Sequence, residues 1–430
     1  MCEPLIYLET KVIILPLGVR VKYMENLLKK YLKGDATLWI VFIGLCILSS
    51  IEMYSASSTL AYKASNHAAP MLRHVGFLTG GALIAFGVHL IPYRYIRISS
   101  YLGLFLSFLL LIYVLLKGQS ANDAARWIVI GGVQFQPSEL AKLSVIIVAA
   151  DLISRIKEVT DERIYFWNTL IMLGLICPLI LLENFSTAFI LFVVVFIMMF
   201  IGRVSLKRLG LLAGGLALIL VLGFGLIKTV PRESMPKMFD RAYTWVGRID
   251  RFKTEKKDEK AKYAITDENR QVQHGRIAIA RGGVFGVMPG NSVERDFLPQ
   301  AYSDFIYAII LEEMGLFGGI VVIILYLILL FRAGKIATKC SSVFPALLVI
   351  GLSLMIVIQT FINMSVASSL IPVTGQPLPL ISRGGTSILI TCIYFGVILG
   401  ITRQIKNEQP LEEESELPED TLPVVELESL

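Results

Sequence analysis

Residues 304–331 read DFIYAIILEEMGLFGGIVVIILYLILLF, and this stretch determines the fold class. A helix needs about 20 mostly apolar residues to span a membrane, and the apolar run after Glu312 and Glu313 is long enough. Nine further apolar runs occur along the chain, at residues 37–56, 72–91, 100–117, 138–154, 166–182, 186–202, 208–228, 344–366 and 385–402. The sequence therefore predicts an all-α polytopic membrane protein with ten transmembrane helices.

The composition of the whole chain agrees with this fold class. Of 430 residues, 55% are hydrophobic and 17% are charged, whereas soluble domains are usually about 45–50% apolar and about 25% charged. Such a composition excludes a disordered chain and a small disulfide-rich secreted module. The five cysteines and four histidines are scattered, so neither a disulfide framework nor a metal cluster is indicated. The net charge of +6 is modest, and no nucleic-acid partner is predicted.

Lysine and arginine residues set the predicted orientation, because cytoplasmic loops carry an excess of them. They concentrate in alternate short connections, so both termini are predicted to be cytoplasmic. The cation-rich connections hold Lys29, Lys30 and Lys33; Arg94 and Arg97; Arg155, Lys157 and Arg163; Arg203, Lys207 and Arg208; Arg332, Lys335 and Lys339; and Arg403 and Lys406.

The chain divides into a membrane domain, residues 37–402, and two terminal segments. Residues 1–36 form a cytoplasmic N-terminal segment, in which Met24 is an alternative start. Residues 229–303 form a large extracytoplasmic loop between helices 7 and 8. Residues 403–430 are rich in Glu and Pro, a composition that cannot bury a core, and are predicted to be a disordered acidic cytoplasmic tail.

The first polar cluster comprises Arg126-Trp127 and residues 135–142. Pro137 is placed in the first turn of a predicted helix, where its missing N–H costs nothing, and the helix dipole favours a carboxylate at Glu139. Glu139 and Lys142 are three residues apart and share a helix face, so they are predicted to pair. A purely structural salt bridge, which lets both side chains enter the membrane, is the alternative interpretation.

Two further polar clusters border the last three apolar runs. One is residues 298–305, LPQAYSDF, in which Asp304 either caps the following helix or has a chemical role. Capping does not explain Glu312, which lies two turns deeper. The other is residues 372–387, PVTGQPLPLISRGGTS, where prolines and glycines predict irregular backbone. Such backbone survives at membrane depth only when it is buried in protein or lines an aqueous cavity.

The charged residues of these clusters are predicted to converge on the extracytoplasmic rim. A cavity there, open sideways to lipid, would suit a substrate with an anionic headgroup and a long lipid tail. This chemistry alone does not separate an enzyme from a transporter. The converging residues are the acids Glu139, Asp304 and Glu312 and the cations Arg126, Lys142 and Arg383.

The same clusters, in this order, resemble the SEDS family of bacterial cell-wall polymerases. Three blocks carry the resemblance: Arg126-Trp127 with residues 135–142, residues 298–315, and residues 372–387. With the helix pattern around them, the resemblance covers most of the chain. Residues 290–292 and 375–380 are more similar to the FtsW type, which acts in division, than to the RodA type, which acts in elongation. The tip at residues 183–187, ENFST, is similar to FtsW-type members from the Bacteroidota.

Membership implies a peptidoglycan glycosyltransferase that polymerises lipid II during septal cell-wall synthesis. It implies a location in the bacterial inner membrane, with the active face toward the periplasm at the septum. Its partners would be lipid II, membrane lipid, a bitopic penicillin-binding transpeptidase and other division proteins. The family's essential aspartate lies in a His-Thr-Asp-Phe motif, which here corresponds to residues 302–305, YSDF. Asp304 therefore carries over as the catalytic candidate, whereas Tyr302 replaces the histidine and Ala125 replaces a common arginine.

The implied reaction needs a base on the attacking sugar hydroxyl and positive charge on the departing diphosphate. Asp304 is predicted to be the base, in an inverting displacement of undecaprenyl diphosphate. A divalent cation, Mg²⁺ or Mn²⁺, held by Asp304 or Glu139 is an alternative source of positive charge. A lipid II flippase and a non-catalytic division scaffold remain the rival functions. The predicted substrate-binding residues are Arg126, Lys142, Arg383, Glu139, Glu312, Ser382, Gly384 and Gly385.

Overall fold

The computed structural model describes residues 33–61, 69–117, 119–121, 124–130, 133–156, 162–230, 240–257, 265–266, 269–298 and 302–415. In chain order the elements are α1 (Ala36–Ala61), α2 (Ala69–Leu90), α3 (Tyr93–Lys117), β1 (Gln119–Ala121), β2 (Ala124–Ile130), β3 (Val133–Phe135), α4 (Pro137–Arg155), α5 (Glu162–Glu183), α6 (Phe185–Ile201), α7 (Leu206–Thr229), α8 (Asp240–Lys257), α9 (Arg270–Gly282), α10 (Glu294–Phe297), α11 (Ile306–Ala337), α12 (Val343–Ala367) and α13 (Gly385–Ser415). Nearly all of the predicted N-terminal segment 1–36 lies outside the described residues, and so do residues 416–430.

Each predicted apolar run corresponds to one long helix. Within the described residues, eight helices are long and apolar enough to cross a membrane: α1, α2, α3, α5, α7, α11, α12 and α13. The helix α6 is apolar but has 17 residues, and α4 carries Glu139, Lys142 and Asp151 along its length. The polytopic helical membrane fold is confirmed, whereas the count of ten spans stays a prediction.

The cation-rich connections meet at one end of the helix bundle. Arg332 of α11 forms an ion pair with Asp35, just before α1. The backbone N–H of Asp35 donates to Thr402 Oγ1 of α13 at 3.1 Å. His89 Nε2, at the end of α2, donates to the carbonyl of Lys33 at 2.6 Å. We call this the Arg332 end, and the polar clusters described below lie at the other end.

The helices α4 and α12 form the centre of the bundle, where close packing replaces the hydrophobic driving force that is absent between helices in lipid. Gly351 of α12 permits a close approach, since a Cβ at this position would lie 2.6 Å from Met198 Sδ of α6 and 2.9 Å from Ile146 of α4. Almost every residue of α4 is buried. Glu139, Lys142 and Asp151 of α4 are therefore enclosed by protein and are shielded from lipid.

Residues 119–135 form a small antiparallel sheet that was not predicted. Its strand order is β1-β2-β3, with Gln119 opposite Trp127 and Ile128 opposite Phe135. The all-α fold class is confirmed, and this connection adds three short strands to it. The physical reason is local: the strand residues ARWIVI are rich in aromatic and β-branched side chains, which favour a pleated surface, and the segment is too short for a spanning helix.

The last helix also differs from its prediction. It continues through Ser415, so residues 403–415 are helical, although a disordered tail was predicted from residue 403. Extending an existing helix needs no new nucleation, and the Gln, Lys and Glu residues of this segment are good helix formers.

The predicted loop 229–303 contains α8, α9 and α10, and its last part is joined to a break in α11. The break lies at Gly315, whose φ is 67°. The break leaves four backbone groups without a partner inside the helix: the carbonyls of Glu312 and Glu313 and the N–H groups of Leu316 and Phe317. Residues 283–288, which we call the 283–288 turn, bond all four groups at 2.8–3.2 Å. The turn and α11 therefore form one hydrogen-bonded unit.

We expect Gly286→Ala to disrupt this junction. A Cβ at Gly286 would lie 2.2 Å from the carbonyl oxygen of Glu313, and its φ is +78°. The backbone conformation costs alanine about 1–2 kcal/mol, and the clash with rigid backbone adds about 1–3 kcal/mol. Gly290→Ala is the matched control, because Gly290 has a φ of +90° and no atom within 4 Å of its Cβ position. Equal losses of melting temperature in detergent for the two variants would contradict this account.

Candidate functional site

The irregular segment between α12 and α13, residues 372–384, forms the floor of the candidate site. Side chains from four helices, α1, α8, α11 and α12, bond to its carbonyl groups. The bonds run from Arg248 to Val373 O at 2.9 Å, from Asn363 to Gln376 O at 2.7 Å, from Gln359 to Pro377 O at 3.0 Å, from Tyr326 to Pro379 O, and from Ser49 to Leu380 O at 2.7 Å. This 372–384 loop is thus buried in protein, as backbone polar groups at membrane depth require.

Three consecutive carbonyl groups of the turn that carries Asp304 accept hydrogen bonds, two from the same loop and one from α12. Tyr302 O accepts from the backbone N–H of Arg383 at 2.8 Å, Ser303 O accepts from Ser382 Oγ, and Asp304 O accepts from Asn363 Nδ2 at 2.9 Å. Three independent donors therefore hold the backbone of Asp304 beside the start of α13.

The Asp304 side chain is held against the 372–384 loop and is 8% exposed. A Cβ at Gly375 would lie 4.0 Å from Asp304 Oδ2, so the carboxylate faces this glycine. The residue at the N-cap of α11 is Phe305, and no side chain caps that helix. The capping interpretation of Asp304 is therefore wrong.

Arg248 is a cation at this site that was not predicted. It lies on α8, and burial lowers the pKa of its guanidinium while the negative charge of Asp304 raises it. The two charged groups therefore lie close enough to interact electrostatically. Trp245, one turn earlier on α8, packs on Phe185 with ring centroids 4.6 Å apart. Trp245 and Arg248 lie on one face of α8, and this spacing was the only feature of the sequence that pointed to the contact between α8 and the site.

Arg383 lies over the ring of Tyr302, with its Cζ atom 5.1 Å from the ring centroid. The tyrosine that replaces the family's histidine thus offers a cation–π partner to an arginine.

Ser49 and His74 are further polar residues of this site that were not predicted. Ser49 Oγ lies 2.8 Å from His74 Nε2 and donates to the carbonyl of Leu380. Since a hydroxyl has one proton to donate, His74 Nε2 is the donor in their bond.

The predicted Glu139–Lys142 pair is confirmed. Lys142 Nζ lies 2.7 Å from Glu139 Oε1, and the side chains are 1% and 7% exposed. The ammonium also donates to Gln359 Oε1 at 3.2 Å, and Gln359 in turn donates to Pro377 O. The ion pair therefore joins α4 to α12 and supports the 372–384 loop. A direct contact between Lys142 and substrate stays a prediction.

The other predicted residues near Arg383 have packing contacts in the structure. Ser382 Oγ accepts from the N–H of Leu378 at 2.7 Å and donates to Ser303 O. Gly385 allows α13 to approach Phe77, whose ring would lie 3.2 Å from a Cβ. At Gly384 a Cβ would lie 3.3 Å from that of Ser387.

Glu312 lies in a different polar cluster from Asp304. Its carboxylate accepts from Ser292 Oγ and from the N–H of Val293 at 3.1 Å, and Arg281 lies 3.7 Å away. These bonds join the chain just before α10 to α11. Arg126 belongs to β2, but its side chain lies outside the described part of the structure. The predicted contacts of Glu312 and Arg126 with substrate stay predictions.

The carboxylates offer few ligands for a metal ion by themselves. Over the residues that the structure describes, no three His, Cys, Asp or Glu side chains lie together in a group that would hold one, and Glu139 already pairs with Lys142. Mg²⁺ is commonly bound by one or two carboxylates together with substrate phosphates. Asp304 fits that pattern only if a bound diphosphate supplies the other ligands.

We expect Asn363→Leu to lower the stability of the site region by about 2–4 kcal/mol. The change leaves the buried carbonyls of Asp304 and Gln376 without their donor, and each such group costs about 1–3 kcal/mol. Ser353→Ala is the control on the same helix, because the buried Ser353 hydroxyl has no hydrogen-bond partner among the described residues. Thermal unfolding in detergent measures the stability of both variants. A smaller effect for Asn363→Leu than for Ser353→Ala would show that these bonds contribute little.

Comparisons with known proteins place the chain in a family. Residues 35–407 match the family FTSW_RODA_SPOVE, described as cell cycle protein. The probable peptidoglycan glycosyltransferase FtsW of Bacillus subtilis (strain 168) is 33% identical over 391 residues, which are 88% of this chain and 93% of the relative. The protein of the same name from Hahella chejuensis is 32% identical over 390 residues, which are 87% of this chain and 91% of the relative.

Solved structures show the same fold. A chain from a peptidoglycan synthase complex superposes with a TM-score of 0.67 at 24% identity, covering 86% of this chain and 98% of that chain. The rod shape determining protein RodA of Thermus thermophilus superposes with a TM-score of 0.61 at 23% identity, covering 86% of this chain and 97% of RodA. The resemblance to the SEDS family, and to its FtsW type, is thereby confirmed. The chain belongs to the family of cell cycle proteins that comprises FtsW, RodA and SpoVE.

Proposed function

We propose that this protein is a peptidoglycan glycosyltransferase that polymerises lipid II into glycan strands during septal cell-wall synthesis. One observation carries the proposal: Asp304 is a buried carboxylate on a turn that is bonded to the residues just before α13, and it interacts electrostatically with Arg248. This is a base beside positive charge, which a displacement with a diphosphate leaving group requires. Membership of a family whose relatives are named glycosyltransferases supports it.

In the proposed reaction, the Asp304 carboxylate accepts the proton of the 4-hydroxyl group of the acceptor sugar. The hydroxyl oxygen then forms a bond to the anomeric carbon of the growing chain, and the bond from that carbon to undecaprenyl diphosphate breaks. The bonding electrons leave with the diphosphate. Because attack and departure take place on opposite faces of the sugar, the α-linked donor becomes a β-linked product.

The arginines of the site are the proposed partners of the diphosphate. Arg248 and Arg383 have planar guanidinium groups, which bind phosphate oxygens in pairs. Arg383 directly follows Ser382, whose hydroxyl is bonded to the turn that carries Asp304. A movement of Arg383 is therefore transmitted to that turn. Lys142 supports the 372–384 loop through Gln359 and contributes positive charge at longer range. Arg126, Glu139, Glu312, Gly384 and Gly385 complete the proposed substrate-binding set.

A divalent cation, Mg²⁺ or Mn²⁺, is part of the proposal as a cofactor. Asp304 would hold it together with diphosphate oxygens, and it would neutralise charge on the leaving group. The proposed location is the bacterial inner membrane, with Asp304 on the periplasmic side and the Arg332 end in the cytoplasm. The proposed partners are a bitopic penicillin-binding transpeptidase and other proteins of the division site.

The test is a glycan polymerisation assay with the purified full-length chain in proteoliposomes that contain lipid II. It is run with and without the transpeptidase, and with Mg²⁺, Mn²⁺ or a chelator. We expect glycan strands to form and the chelator to reduce their yield. Transport of lipid II across the bilayer without polymer would favour the flippase function. Neither polymer nor transport under any of these conditions would favour a scaffold.

A further inference from the structure

The 283–288 turn carries an unusually exposed apolar surface. Val284, Phe285 and Met288 are 59%, 84% and 66% exposed. The turn is bonded to α11 beside Leu316 and Phe317, which are exposed as well. These five side chains therefore form one contiguous apolar patch, although they come from two segments that are about 30 residues apart in the sequence.

The patch continues a surface that faces lipid. Along α11, exposed apolar side chains recur at a spacing of three or four residues, which places them on one helix face. Since α11 is a membrane-spanning helix, this stripe contacts acyl chains. The stripe is formed by Phe317, Ile320, Ile324, Leu327 and Phe331, and it leads without interruption to the 283–288 turn.

The length of α11 places the turn inside the bilayer. Arg332 pairs with Asp35 and marks the polar boundary at its end of the bundle. Phe317 is 15 residues from Arg332, which corresponds to about 22 Å along the helix axis. The hydrocarbon core is about 30 Å thick, so Phe317 lies about 8 Å below the opposite boundary. Any tilt of α11 shortens the projected distance and places Phe317 deeper.

The backbone of the turn is suited to this depth. Irregular backbone is tolerated there only if its polar groups are bonded, and the break at Gly315 supplies four backbone hydrogen bonds to the turn. The nearby charge of Arg281 is paired with Glu312 at 3.7 Å, which reduces the cost of a cation close to hydrocarbon. Gly282 contacts the backbone at Leu311 so closely that a Cβ would clash at 1.8 Å. The turn therefore cannot move independently of α11.

We propose that the 283–288 turn is inserted among the acyl chains of the leaflet opposite the Arg332 end, so that bilayer lipid is the partner of its exposed surface. The insertion anchors α9, because the turn follows α9 directly. Gly275 of α9 packs on Phe305, the residue after Asp304, and a Cβ there would lie 3.0 Å from the ring. Lipid thus holds α9 against the turn that carries Asp304. This inference rests on the membrane fold and does not depend on the catalytic activity.

Photocrosslinking in vesicles tests the insertion. The photoreactive analogue p-benzoylphenylalanine replaces Phe285, Phe331 or Asp296, one position at a time, in the full-length chain. Each protein is reconstituted into vesicles of phosphatidylethanolamine and phosphatidylglycerol that contain no polyprenyl lipid. After illumination, mass spectrometry measures the fraction of protein that carries a phospholipid adduct. Phe331 on the α11 stripe is the positive control, and the exposed carboxylate position Asp296 in the same loop is the negative control.

We expect phospholipid adducts at position 285 at a level similar to position 331. Their yield should exceed that at position 296 by about tenfold or more, because a position that naturally carries an exposed carboxylate lies outside the hydrocarbon. Adducts at 331 without adducts at 285 would overturn the proposal. A protein–protein adduct at 285 in place of the lipid adduct would also overturn it, since the patch would then be covered by a second copy of the chain.

Discussion

We expect Asp304→Asn to reduce the rate of lipid II polymerisation by about 100-fold or more, because a positioned general base contributes about 10²–10⁴-fold. The amide cannot accept the proton of the attacking hydroxyl, yet it has nearly the shape of the carboxylate. The backbone bonds from Asn363, Ser382 and Arg383 remain, since they involve carbonyl groups of the turn. The melting temperature should therefore change little, and the loss should appear in the turnover rate in proteoliposomes.

The matched control is Asp296→Asn, which neutralises an exposed carboxylate eight residues earlier in the chain. It removes the same charge from the same side of the molecule without touching the Asp304 turn. We expect activity within about twofold of the unchanged protein, since exposed ion pairs contribute little. Near-normal polymerisation by Asp304→Asn would remove the base assignment, and an equal loss in both variants would point to a general effect of loop charge.

The second large effect is expected at the buried ion pair. Lys142→Met removes a cation that is 1% exposed and leaves the Glu139 carboxylate and Gln359 Oε1 without their partner. Removing one member of a buried pair costs about 3–5 kcal/mol, because the remaining charge is buried without compensation. We therefore expect a fall in melting temperature in detergent, together with loss of activity as the 372–384 loop loses its support.

A second variant separates this mechanism from simple loss of packing. Adding Glu139→Gln to Lys142→Met removes the uncompensated charge, so the double variant should be more stable than Lys142→Met alone. The same two variants also test whether the ion pair does more than support the loop. Recovery of stability with no recovery of activity would show that Lys142, Glu139 or both act directly on substrate. A double variant less stable than Lys142→Met alone would contradict the charge-burial account.

The helices were predictable because each long apolar run satisfies its own backbone within one segment, so its existence depends on local sequence alone. The Glu139–Lys142 pair was predictable for the same reason, since residues three apart share a helix face whatever surrounds them. The burial of the 372–384 loop followed from its prolines and glycines, which are incompatible with an exposed position in lipid.

The site around Asp304 was only partly predictable. The family motif identified Asp304, but apart from an aromatic residue and an arginine on one face of α8, no local pattern indicated that Arg248 lies near it or that Asn363 of α12 holds its carbonyl. The contact between Asn363 and Asp304 joins residues 59 positions apart. Periodicity within one helix reports which face is apolar and does not report which neighbour it meets. The β-strands were missed because charge and hydropathy counts over long windows do not register strands of only three to seven residues.

The sequence by itself determined that this is a polytopic membrane protein, because the length of an apolar run acts locally. A short family motif made Asp304 the catalytic candidate, and that role stays a prediction. Only the tertiary structure decided where the charges lie relative to one another. It separates Glu312, bonded near α10, from Asp304, and it makes Lys142 a support of the 372–384 loop. The physical reason is that a buried charge must find its partner across the fold, and the position of that partner depends on how the helices pack.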